Sequence, residues 1–176
     1  MKLPPPGTML KISSNANAQE VAHTMRNVVK ATRLTPEVMA ITKHLMDHCA
    51  TMPDFLQAVG DYAINIAYFE PDPMTKQIIR TPAATIRERT ANCVDYTVLI
   101  CSICSCAGLH CVIRCVAFKP GENLSHVYPM VNGRAIDVVP GQKQDGTERI
   151  TRKGKKTVVI GYQLPFYRMF ELPINY

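Results

Sequence analysis

Three residues in the middle of the chain, Cys93, His126 and Asp137, are of the types and in the order needed for nucleophilic thiol chemistry. A cysteine attacks a carbonyl only as thiolate, and a helix N-terminus and a neighbouring imidazolium are the two ordinary ways of favouring that form. Asn92 is a strong N-cap, and the apolar run that follows it lasts until Gly108, so the spacing predicts a buried helix over 93–107 with Cys93 in its first turn. Further on, Asn132-Gly133 between apolar runs is a strong hairpin signal. A two-residue turn there sets Val131 opposite Arg134, Tyr128 opposite Asp137 and His126 opposite Val139. Side chains alternate, so His126 and Asp137 become diagonal neighbours on one face. At roughly 7–8 Å between backbone positions they are within reach of an imidazole–carboxylate hydrogen bond. A carboxylate behind a histidine fixes its tautomer and stabilises the imidazolium. The negative charge that develops on an attacked carbonyl needs donors as well. The Cys93 N–H is the natural first one, Gln77, Thr90 and Asn92 are side-chain candidates for the second, and Tyr128 is a candidate substrate contact.

Other residues invite different chemistry and support it less. Cys101, Cys104, Cys106, Cys111, Cys115 and His110 resemble ligand spacing, but zinc and cluster sites draw on loops with glycine and polar neighbours. These cysteines lie on an apolar helix and the strand after it, and Cys106 points away from the face shared by Cys101 and Cys104. No metal site and no cofactor are expected. His23, His44 and His48 fall on early helices. The pair at i, i+4 with Asp47 beside it reads as an exposed polar face.

The elements that must position the thiol begin after an extended, Pro-, Ser- and Asn-rich arm over 1–16. Val21, Met25, Val28, Val29 and Thr32 recur with helical period, and Asn17 with Glu20 forms a capping box, which predicts a helix over 18–33. Thr35-Pro36-Glu37 opens a second helix through about Cys49, and Thr51-Met52-Pro53-Asp54 opens a third over 53–68. Three prolines over 70–85 predict a long loop. Strands are expected over Leu109–Phe118, Leu124–Val131 and Arg134–Val139. The aromatic tail over 162–176 either packs back across the domain or serves as a docking peptide.

At 176 residues and 19.6 kDa the chain is one domain's worth, and 47% hydrophobic against 19% charged residues gives it enough apolar material for a core. A fusion of two enzymes and a disordered chain are excluded. Apolar stretches stop well short of a bilayer span, and the N-terminus has no apolar segment of the secretory kind. Seven cysteines, five of them within 101–115, do not form a secreted disulfide framework and point to a reducing compartment. The net charge of +6 is concentrated in Arg149, Arg152, Lys153, Lys155 and Lys156. Without interleaved aromatics that cluster reads as a solvated turn around Gly154 rather than a nucleic-acid surface.

The order of a buried Cys-bearing helix ending in Ala107-Gly108, a strand, His126 in a second strand and Asp137 in a third resembles the transglutaminase-like superfamily of the papain-like fold. Cys93, Asp95, Tyr96, Ala107, Gly108, His126, Tyr128, Asp137 and Pro140 occupy the positions of the family's pattern, within 85–141. Ala91-Asn92 stands where a glycine is usual, and Tyr128 replaces an adjacent tryptophan. The resemblance implies an α+β fold, with N-terminal helices and the buried Cys helix packed on a small antiparallel sheet, over 17–161. It implies that Cys93 is the nucleophile, His126 the general base and acid, and Asp137 the orienting residue. It also points to a small prokaryotic or phage-encoded member, cytoplasmic or assembled into a phage particle.

The function expected is hydrolysis of a peptide-like bond in a peptide or protein substrate through an acyl-enzyme on Cys93. Transfer to an amine, as in a cross-linking transglutaminase, is the chemical alternative. A catalytically idle module in an assembly such as a virion is the structural one, with the arm and the tail as contact surfaces.

Overall fold

The computed structural model describes residues 7–13, 16–73, 76–139, 149–150 and 156–174. Its helices start where capping chemistry places them. Asn17 accepts a hydrogen bond from Glu20 N at 3.0 Å while Glu20 Oε2 accepts from Asn17 N at 2.9 Å, and helix α1 runs over Ala18–Thr32. Pro36 at the first turn opens α2, Pro36–Asp47, and the reciprocal bonds of Thr51 and Asp54 open α3, Met52–Ile66. These ends fall within two residues of the expected ones.

The segment expected as one long loop over 70–85 is partly ordered, which corrects that reading. It contains strand β3, Gln77–Arg80, and the start of helix α4, Pro82–Glu88. The reason is local for the helix: Thr81 Oγ1 accepts from Ala84 N and Pro82 follows it, the same Thr-Pro start that opens α2. Arg89 ends the helix at φ +57°, a left-handed cap without glycine. For the strand the reason is non-local. Residues of the expected arm, Met9–Ile12, form β1 and pair antiparallel with β3, Met9 opposite Arg80 and Ile12 opposite Gln77. Gly7 N donates to Thr81 Oγ1 at 3.1 Å, so this stretch is tied into the fold. Two-residue strands β2, Tyr68–Phe69, and β4, Thr90–Ala91, pair in parallel just before the next helix.

That helix, α5, spans Cys93–Cys106 and buries every residue from Val94 to Ser105. Helices α1 to α4 surround it on one side and a four-stranded sheet covers the other. The sheet order is β10 (Arg168–Pro173), β5 (Cys111–Ala117), β6 (His126–Val131), β7 (Arg134–Ala135), all antiparallel. The main core runs from Met25 and Val29 of α1 through Leu99, Ile100 and Ile103 to Ile113 and Val131 of the sheet.

Asn132 and Gly133 both have positive φ, +46° and +78°, and the hairpin register is Val131 opposite Arg134. The third strand is shorter than the expected 134–139. Ile136 N donates to Pro129 O at 3.0 Å, but proline has no N–H to return, so the ladder thins one step beyond Ala135. The tail supplies edge strand β10, with Leu172 and Ile174 buried and Tyr167 and Met169 exposed. Of the basic cluster, Arg149–Ile150 (β8) and Lys156–Thr157 (β9) pair as a short ribbon. Arg152, Lys153, Gly154 and Lys155 lie outside the described residues, as does Pro140. Among the described residues no helix is long and apolar enough to cross a membrane.

Candidate active site

The thiol's position is fixed by the start of α5. Asn92 Oδ1 accepts from Asp95 N at 2.9 Å and Asp95 Oδ2 accepts from Asn92 N at 3.1 Å, a capping box that presents Cys93 at the first helical position. Asp95 is fully buried and also accepts from Arg80 N and Arg80 Nη1, each at 2.7 Å. Arg80 Nε in turn reaches Glu88 Oε2 at 3.0 Å. Strand β3, helix α4 and the N-terminus of α5 are thus tied to one carboxylate. One turn into the helix, Thr97 Oγ1 donates to Cys93 O at 2.7 Å.

His126 begins β6, and its Nε2 lies 2.7 Å from Asp137 Oδ2. Asp137 Oδ1 accepts from Val139 N at 3.2 Å, which holds the carboxylate in place. With Nε2 committed to Asp137, the ring nitrogen left for another partner is Nδ1, and the Cys93 side chain lines the same cavity as the imidazole and acts to raise its basicity. Phe118 stacks on the imidazole at 5.9 Å between centroids, and Tyr128 tilts against it at 5.6 Å. Burial pulls the basicity of His126 down, but hydrogen bonds and charge from Asp137 and Cys93 outweigh it and push the pKa up to about 10.

That shift makes stability depend on pH. A histidine whose folded pKa lies above its ordinary 6.5 stabilises fully below 6.5, and the contribution is lost as pH rises to about 10. The wild-type protein is therefore expected to lose urea resistance between those limits, with a smaller loss in His126→Gln. Parallel declines in the two proteins would show that the imidazolium is not stabilised by the fold.

Cys93, His126, Gln77 and Cys115 line one cavity of about 130 Å³, together with Met25 and Leu124. Two thiols face it, and burial disfavours ionisation of one of them. Cys115 is pushed up to about 12, first by burial and then by the charge of Cys93, whereas Cys93 is half-buried beside the imidazole.

The other candidates are distributed unequally. Gln77 borders the cavity, with its Nε2 donating to Asp72 Oδ2 at 2.8 Å and making only a long contact of 3.4 Å to Ile78 O. Asn92 is occupied by the capping box, and its Nδ2 faces Ile78 O. Thr90 sits in β4 opposite Tyr68, away from the cavity lining. Tyr128 donates from its hydroxyl to Gln163 Oε1 at 2.9 Å and supports the imidazole with its ring. Arg80, Glu88, Phe118 and Cys115 were not legible as parts of the site. Each joins it through tertiary contact, for which spacing carries no signal. Among the described residues no group of three or more His, Cys, Asp or Glu side chains is placed to hold a metal. His44 and His48 lie exposed with ring centroids 4.4 Å apart.

No protein-family profile matches the chain, and no curated protein matches it. Two solved structures show a partial likeness to the chain. A candidate protease from Parabacteroides distasonis shares 15% identity at a TM-score of 0.49, over 65% of this chain and 25% of its own. A candidate cysteine protease from Cytophaga hutchinsonii shares 13% identity at a TM-score of 0.46, over 95% of this chain and 60% of its own. The chain thus spans a quarter of the first and three fifths of the second.

Proposed function

We propose that the chain is a thiol-dependent acyl hydrolase of the papain-like, transglutaminase-like kind, cleaving a peptide-like bond. What supports this reading above all is that one imidazole is held by Asp137 at 2.7 Å while it faces Cys93 across a shared cavity. The thiolate adds to the carbonyl carbon, forming the C–S bond, and the carbonyl electron pair moves to oxygen. The Cys93 N–H at the start of α5 receives that oxyanion, and Gln77, which lines the same cavity, is the candidate for the second donor. His126 then delivers its proton to the departing amine as the C–N bond breaks. Water attacks the thioester with His126 as base and releases the acid. An amine in place of water would make the same site a cross-linker.

The test is the pH dependence of iodoacetamide alkylation, located by mass spectrometry among the seven cysteines. An imidazolium beside a thiol favours the thiolate, so Cys93 is expected to react selectively among the seven. Uniformly slow labelling of all seven would mean that the arrangement is scaffold, and the hydrolase reading would be abandoned.

A further inference from the structure

Beside the Cys93 cavity lies a larger open cleft of about 730 Å³, and the two adjoin, with Ala16, Ala18 and Leu124 in the walls of both. The cleft runs between the start of α1 and the 123–124 segment to the exposed end of β10, where Arg168, Met169 and Phe170 form its far side. Among the described residues Arg168 is its one charged lining residue. The guanidinium is anchored by donation from Nη2 to Glu122 O at 2.8 Å, a neutral carbonyl, and among the described residues no carboxylate lies within ion-pair distance of it. The nearest acid on the α1 side, Glu20, is spent on the backbone of Asn17. An arginine held in place, without a carboxylate partner and lining a cleft that adjoins the cavity of a nucleophile is arranged to read an anionic group by charge-assisted hydrogen bonds. At the other end, the cavity beside Cys93 is small, about 130 Å³, and Ala16, Ala18, Val21 and Leu124 form an apolar part of its wall alongside His126 and Gln77, a lining that favours a small aliphatic side chain.

Building on the hydrolase reading, we infer that the substrates are peptides with a small aliphatic residue at the scissile bond and an acidic residue further along, bound by Arg168. The peptide backbone enters across Leu124, the small side chain settles beside Cys93, and the carboxylate meets the guanidinium in the wider cleft.

The inference is tested by protection of Cys93 in the intact chain. Iodoacetamide alkylation is timed in the presence of capped hexa-alanine peptides carrying a single Glu at each position in turn, and of the matching single-Lys set. One charge-assisted hydrogen bond corresponds to about tenfold in affinity. At least one Glu peptide is therefore expected to protect at about a tenth of the concentration its Lys counterpart needs. R168Q should abolish that selectivity and R168E should reverse it, with circular dichroism showing that both variants are folded. Equal protection by the two sets, no protection by any peptide, or selectivity that persists in R168Q would each overturn the assignment. None of these outcomes touches the hydrolase reading, which stands or falls on whether Cys93 is the selectively alkylated thiol when no peptide is present.

Discussion

His126→Ala is expected to slow alkylation of Cys93 near neutral pH by about a hundredfold, the lower end of what a positioned acid–base group contributes. Among the described residues the imidazole is the one basic side chain that lines the thiol's cavity, and its protonated form is favoured up to a pKa of about 10. Its removal leaves the helix start as the one remaining influence on the thiolate, and a helix terminus supplies only about 0.3–1 kcal/mol at a partly exposed site. Asp137→Asn is expected to act in the same direction and less strongly, about tenfold, because the ring keeps a hydrogen-bonding neighbour but loses the charge that stabilises imidazolium. Both variants are expected to fold, since the hairpin is set by Asn132-Gly133 and by the β5–β6 register rather than by the pair itself. Urea midpoints near pH 6.5, with His126→Gln as a less invasive substitute, separate a loss of reactivity from a loss of fold. Equal alkylation rates in the wild-type protein and in both variants would sink the Cys–His–Asp arrangement.

What could be read in advance from the sequence divides along the distance between partners. The bond between His126 and Asp137 closes within one hairpin, so alternation and a two-residue turn were enough to place it. Caps are local too, and Asn17 with Glu20 or Thr51 with Asp54 located helix starts for that reason. Thr81-Pro82 carries the same signature as Thr35-Pro36, yet its helix has only seven residues and ends on Arg89 without a glycine, so composition hid it among prolines. The β1–β3 pairing joins residues some seventy positions apart, and no local pattern announces such a partner. The approach of Cys93 to His126 belongs to the same class. It depends on how α5 sits on the sheet, and for that the ordering of the residues resembled a family while their spacing carried no information.

Asp95 shows how much of the site rests on a residue that never faces it. Asp95→Ala is expected to cost about 3–5 kcal/mol of stability, the usual consequence of removing one partner from a buried charge pair. Its carboxylate is fully buried and accepts three hydrogen bonds, from Arg80 N, Arg80 Nη1 and Asn92 N, so three donors depend on the one side chain. Burial raises the Asp95 carboxyl above its ordinary range, and the donors from Arg80 and Asn92 oppose that shift. Glu88 compensates part of the guanidinium's charge, but Arg80 N and Asn92 N would be left without acceptors. Both lie where β3 and α5 bring Gln77 and Cys93 to the cavity, so Asp95→Ala should also cost Cys93 its selective alkylation. If Asp95→Ala fails to fold, Asp95→Asn and Arg80→Met with their double variant provide the measurement. The double variant is expected to be more stable than the sum of the two singles implies, by about 1–3 kcal/mol, because each single change strands a partner that the other removes. Additive costs in urea unfolding would mean that Arg80 and Asp95 are not coupled, and that the start of α5 is held by its cap alone.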